Sequence, residues 1–169
     1  MIEQTFCHVQ GVGEKTEEKI WAAGIGSWAA FAGAPKWPVN GAKGGAIMAE
    51  LTASQAAFAE ANPRYFYDRL KSTHHWRLFS DFKHKAAYID IETTGLSGFG
   101  DIITTIALYD GRHIKSYVYG RNLDQFVADL FAYDLIVTYN GKTFDVPFIE
   151  SFFGVGLPHA HIDLRYVLN

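Results

Sequence analysis

Two runs rich in β-branched and apolar residues, 102–109 and 112–119, are separated by Asp110-Gly111. An Asp-Gly pair accepts the positive φ that a tight hairpin loop demands. It is the strongest short-range signal that two flanking runs pair as antiparallel strands. Residues 86–91, Ala-Ala-Tyr-Ile-Asp-Ile, form a short apolar run consistent with a buried strand. Downstream, Asn122 can cap a helix over 123–132, with Leu123, Phe126, Val127 and Leu130 on one face. A fourth strand is predicted at 135–139. The Asn140-Gly141 pair then turns the chain into a helix over 144–153, and 162–164 starts a fifth strand. The order β-β-β-α-β-α-β is three antiparallel strands followed by two α/β crossovers.

The chain ahead of Ala86 has another character. Glu14, Glu17 and Glu18 follow Gly11-Val12-Gly13, and Gly24 comes ten residues after Glu14, which bounds a helix over 14–24. Residues 35–45 hold two prolines and three glycines and read as a loop. A second helix is expected over about 46–61, with Ile47, Leu51 and Phe58 at helical spacing, and a third over 64–72 after Pro63. The organisation expected is a helical region, 1–83, ahead of an α/β domain, 84–169.

Composition narrows the class. With 169 residues, 49% hydrophobic and 20% charged, the chain can bury a core, which excludes a disordered or collagen-like protein. Cys7 is the sole cysteine, so no intrachain disulfide can form. No apolar run approaches the length of a membrane span, and Met-Ile-Glu-Gln-Thr lacks the basic and apolar parts of a signal peptide. A cytoplasmic protein with no membrane partner is the expectation.

The net charge of −3 is unevenly spread, at +2 over residues 1–85 and −5 over 86–169. Within the acidic half, Asp90 and Glu92 lie two apart on the first predicted strand. A strand repeats every two residues, so both carboxylates face the same side. Such a pair is either two solvated acids or a site for a hard divalent cation, which takes oxygen ligands and removes their repulsion.

Around these acids the sequence reads Asp90-Ile-Glu-Thr-Thr-Gly-Leu96, and about fifty residues later Tyr139-Asn-Gly-Lys-Thr-Phe-Asp145. The two motifs, in this order, resemble the first and second motifs of the DEDD (DnaQ-like) 3′–5′ exonuclease superfamily. The similarity is greatest to its bacterial YprB-like branch, and it covers about 86–169. It implies a ribonuclease-H-like fold, two Mg²⁺ or Mn²⁺ ions, and hydrolysis of phosphodiester bonds at single-stranded DNA or RNA ends. By the same resemblance Asp90 bridges both ions. Glu92 holds one and orients the attacking water, and Asp145 holds the second. Thr93, Thr94 and Leu96 meet the terminal nucleotide, and Asn140 either touches the substrate or fixes its loop.

One part of the family pattern is missing. A third motif, carrying a fourth carboxylate on a later helix, has no counterpart before Asn169. His159-Ala-His-Ile-Asp163 has a similar form, but it follows Asp145 too closely and starts a strand, so Asp163 reads as structural. Three functions therefore stand open: a metal-dependent exonuclease, a structure-selective endonuclease served by the same fold and metals, and a nucleic-acid- or protein-binding module with a degenerate site.

The front region adds two ambiguous features. Gly11-Val-Gly13 ahead of a helix is similar to a helix-hairpin-helix element, whose backbone N–H groups hold a phosphate, and is equally an ordinary glycine turn. Residues 64–85 interleave six basic residues with six aromatic ones. That pattern suits a strand of nucleic acid, and suits equally a core with a solvated rim.

Overall fold

The computed structural model describes residues 1–95 and 100–168. The chain divides into two compact units, Met1–Lys71 and Ser72–Asn169.

The first unit is helical: α1 (Glu14–Ala22), α2 (Trp28–Ala32), α3 (Gly41–Ala59) and α4 (Pro63–Tyr67). Its starts are written in the sequence. Ser27, Asn40 and Asn62 each accept a hydrogen bond from the backbone N–H three residues on, and Pro63 sits at the first position of α4. The core is aromatic, with Trp28 stacked on Phe66 at 5.9 Å between ring centres. Glu17 is buried within it and accepts hydrogen bonds from the N–H groups of Phe6, at 2.6 Å, and Cys7, at 3.1 Å. Ahead of Gly11 the described chain forms one short 3₁₀ turn, Ile2–Gln4.

Two elements differ from expectation. Helix α3 begins at Gly41, inside the segment read as a loop. Asn40 caps it, and Gly44 is covered by the Trp37 ring, which leaves no room for a side chain there. Helix α2 was not foreseen, since five residues give too short a periodicity to read.

The second unit opens with a 3₁₀ segment, Ser72–Leu78, followed by α5 (Phe79–Phe82) and a further 3₁₀ turn, Lys83–Lys85. Then come β1 (Ala86–Thr93), β2 (Ile103–Tyr109), β3 (Ile114–Val118), α6 (Phe126–Leu130), β4 (Leu135–Thr138), α7 (Asp145–Phe153), β5 (Ala160–Asp163) and α8 (Leu164–Val167). The five strands lie in the order β3-β2-β1-β4-β5. β1 pairs antiparallel with β2, and β2 with β3. β4 runs parallel to β1, and β5 parallel to β4. This is the mixed α/β sheet expected from the sequence.

The alternation along β1 sorts its residues by face. Ile89 and Ile91 enter the core with Ile106, Leu108, Phe126 and Ile149, while Asp90 and Glu92 are exposed on the other side. All four residues of β4 and of β5 are buried, as parallel strands covered on both faces should be.

The division between the two compact units falls between Lys71 and Ser72. The segment Ser72–Leu78 packs on β5 and α8, and His75 and Leu78 are buried there. Asn122 also differs from expectation. Its side chain does not cap the following helix; it accepts from the Val118 N–H and donates to the Ser116 carbonyl, fastening the end of β3.

Candidate active site

A cleft of about 430 Å³ opens beside the C-terminal half of β1. It is lined by Asp90, Ile91, Glu92, Tyr139, Asn140, Phe144, Asp145 and Arg165. The topology accounts for the place. The last registered pair between β1 and β4 is Tyr88 with Val137, so Asp90 and Glu92 extend past the end of β4. The loop after β4 and the start of α7 fill the side of β1 that β4 leaves. In open α/β sheets the crevice beyond the carboxyl ends of the strands is where ligands bind.

Asp145 is the first residue of α7 and is only 4% exposed. Burial pushes its carboxyl up to about 6, and the negative charges of Asp90 and Asp163 add to the effect. The nearby backbone N–H groups of Asp145 itself and of Ile91 oppose the shift. The carboxyl thus lies near the β1 backbone, close enough to Asp90 to feel its charge.

Asp163, at the end of β5, organises the loop that carries Asn140. Its Oδ1 accepts from the N–H of Asn140 at 2.7 Å and of Arg165 at 3.0 Å, and its Oδ2 from the N–H of Lys142 at 2.9 Å. Asp163 is 1% exposed and does not line the cleft. Asn140 adopts a left-handed conformation with φ 66°. Its Oδ1 accepts from the Thr143 hydroxyl at 2.8 Å and from the Arg165 guanidinium. Gly141 is required next, because a side chain there would overlap that of Thr138.

Beneath the loop lies a polar layer. The Thr138 hydroxyl accepts from the Gly141 N–H at 3.1 Å and lies 2.8 Å from His161 Nε2. Burial, and then the charge of Lys142, hold the His161 ring down at about 4. Lys142 Nζ lies 3.0 Å from His75 Nδ1, and burial lowers its ammonium below the usual range.

The cleft thus gathers Asp90, Glu92, Asp145 and Asn140 of the residues singled out from the sequence. Thr93 and Thr94 do not line it. The Thr93 hydroxyl donates to the Gly95 carbonyl at 2.6 Å. The Thr94 hydroxyl donates to Asp101 and accepts from the Ile102 N–H at 3.0 Å. An irregularity in the β1–β2 register between Glu92 and Thr93 accompanies this loss of strand alternation. Leu96 lies outside the described residues. Gly11 and Gly13 belong to the helical unit, where Gly13 caps α1 and the Gly11 carbonyl accepts from Lys43 Nζ at 3.0 Å. Sequence reading gave no role to Tyr139, Phe144 or Arg165. The first two stand inside the second motif, while Arg165 carries no motif signal and reaches the cleft only through the register of β5.

Residues 87–169 match the family model of the RNase_H superfamily. Residues from β1 onward carry the ribonuclease-H-like fold. A family B DNA polymerase from Pyrobaculum calidifontis is similar over 47% of this chain and 15% of its own, at 23% identity and a TM-score of 0.38. Brucella melitensis NrnC with bound Mg²⁺ is similar over 46% of this chain and 40% of its own, at 21% identity and a TM-score of 0.34. NrnC bound to pGG aligns over the same shares at 20% identity. The chain therefore spans well under half the length of these structures. No curated protein sequence matches it significantly. No helix among the described residues is long and apolar enough to cross a membrane.

The donors of the cleft suit a hard divalent cation: three carboxylates, one of them buried beside another's charge. Among the described residues, no three or more His, Cys, Asp or Glu side chains form a cage placed to hold a metal ion. Mg²⁺ rarely uses such a cage. It binds one or two carboxylates and completes its shell with water and substrate phosphate.

Proposed function

We propose that this cleft hydrolyses phosphodiester bonds at single-stranded 3′ ends, as a Mg²⁺- or Mn²⁺-dependent 3′–5′ exonuclease of the DEDD, YprB-like kind. The observation that carries the reading is the meeting of Asp90, Glu92 and Asp145 in one cleft beside the C-terminal half of β1. These three would hold the ions, which supply a lowered pKa to a bound water and charge stabilisation at the leaving oxygen. The chain's own groups do the rest. Burial at the start of α7 holds the Asp145 carboxyl in place, and Asp163 holds the Asn140 loop at the cleft wall. Tyr139, 68% exposed at the rim, offers a ring face to a terminal base.

The test is digestion of 5′-labelled single-stranded DNA and RNA in Mg²⁺, Mn²⁺ or EDTA. The expected result is a metal-dependent ladder, slowed more than about 100-fold in Asp90→Ala. A second reading, a nucleic-acid- or partner-binding module with a degenerate site, is favoured by the absence, among the described residues, of three His, Cys, Asp or Glu side chains placed to hold a metal ion. Binding without cleavage, with affinity unchanged in Asp90→Ala, would select it.

A further inference from the structure

Among the described residues lining the cleft, Arg165 is the one cation. It lies in α8, two residues past Asp163, and is exposed. Two of its hydrogen bonds tie it to Asp163 and to the turn after β4. Its N–H donates to Asp163 Oδ1 at 3.0 Å, and its guanidinium donates to Asn140 Oδ1. Asn140 is itself fastened to the same Asp163 oxygen through its N–H, at 2.7 Å. The guanidinium is therefore tied to the turn after β4 by an amide oxygen that helps to orient it. The same cleft is lined by three carboxylates, which would repel an anionic strand. A guanidinium presents five N–H donors in a planar fork that matches two phosphate oxygens.

Resting on the nuclease reading, we propose that Arg165 binds a backbone phosphate of the strand in the cleft. The ligand is a phosphodiester next to the scissile end. Arg165 is then the group that offsets the repulsion of the acidic wall and sets the strand's register against Asp90, Glu92 and Asp145.

The experiment measures anisotropy of a labelled single-stranded oligonucleotide in Ca²⁺ across a salt series. The proteins are the wild type, Arg165→Ala, Arg165→Lys, Asn140→Ala and the Arg165→Ala/Asn140→Ala pair. Loss of a charged hydrogen bond should weaken binding by roughly 10- to 100-fold in Arg165→Ala. The slope of log K against log salt should fall by about 0.7, the value for one single-strand phosphate. Arg165→Lys keeps the charge without the fork and should recover part of the loss, and it serves as the test where the alanine variant melts early. Asn140→Ala should weaken binding less than Arg165→Ala. In cleavage assays the loss should show in KM more than in kcat.

Wild-type affinity and salt slope in both Arg165 variants would overturn the proposal. So would an Asn140→Ala loss equal to that of Arg165→Ala with nothing further in the pair, since Arg165 would then only prop the loop. A wild type that neither binds nor cleaves in Mg²⁺ or Mn²⁺ would sink the nuclease reading itself, and this assignment with it.

Discussion

Asp145 and His161 are buried titratable groups whose environments push stability in opposite directions with pH. The Asp145 carboxyl rises from 3.8 to about 6 on folding, so the folded state holds its proton more tightly. Its contribution is complete below pH 3.8 and is lost as the pH rises to about 6. The His161 ring falls from 6.5 to about 4, so its contribution is complete above pH 6.5 and is lost as the pH falls toward 4. The two slopes offset each other in the wild type and separate in variants. Asp145→Asn keeps an acceptor near the Ile91 N–H and removes the buried charge. It should be more stable than the wild type by about 3 kcal/mol at pH 7–8 and equal to it below pH 4, and on the proposed nuclease reading it should also lose cleavage. Chemical denaturation across pH reads this directly, and parallel curves for the two proteins would refute it. A divalent ion beside the carboxylate should shrink the difference at pH 7.

At the scale of elements, the turn after β4 depends on a single side chain. Asp163 accepts three backbone N–H groups, from Asn140, Lys142 and Arg165. Asp163→Ala leaves all three without that acceptor and should cost about 3–5 kcal/mol. Asp163→Asn, with one acceptor oxygen left, should fall between. Thermal melts decide the order, and an alanine variant as stable as the wild type would show that the turn is held otherwise. The sequence made part of this region legible. The two-residue period of β1 put Asp90 and Glu92 on one side, and Asn140-Gly141 marked the turn. The rest depended on tertiary detail. The Thr93 and Thr94 hydroxyls are consumed locally beyond a register irregularity that no pattern announces. Gly41 and Gly44 read as helix breakers, yet Asn40 and Trp37 build a helix through them. Arg165 lies in the cleft because Asp163 ends β5 where it does, a register that four residues of strand do not encode alone.

At the scale of the whole molecule, the segment between the helical region and β1 belongs with the sheet. His75 and Leu78 are buried, and their segment covers β5 and α8. A fragment of residues 72–169 should melt cooperatively, while residues 84–169 should melt at least about 10 °C lower or fail to fold, because β5 loses its cover. Equal melting temperatures would place the boundary after this segment instead. The topology also has a consequence in time. Strands β1, β2 and β3 are neighbours in sequence as well as in the sheet, whereas Tyr88 meets Val137 only after a long intervening loop has closed. Local pairings form before distant ones, because loop closure must be met before distant contacts reward it. On this ordering the β1–β3 meander that carries Asp90 and Glu92 should form first, and Asp145 should arrive with the later crossover. Pulse-labelled amides of β1–β3 should be protected ahead of those of α7, so that the trio of cleft carboxylates is the last feature this half of the chain completes.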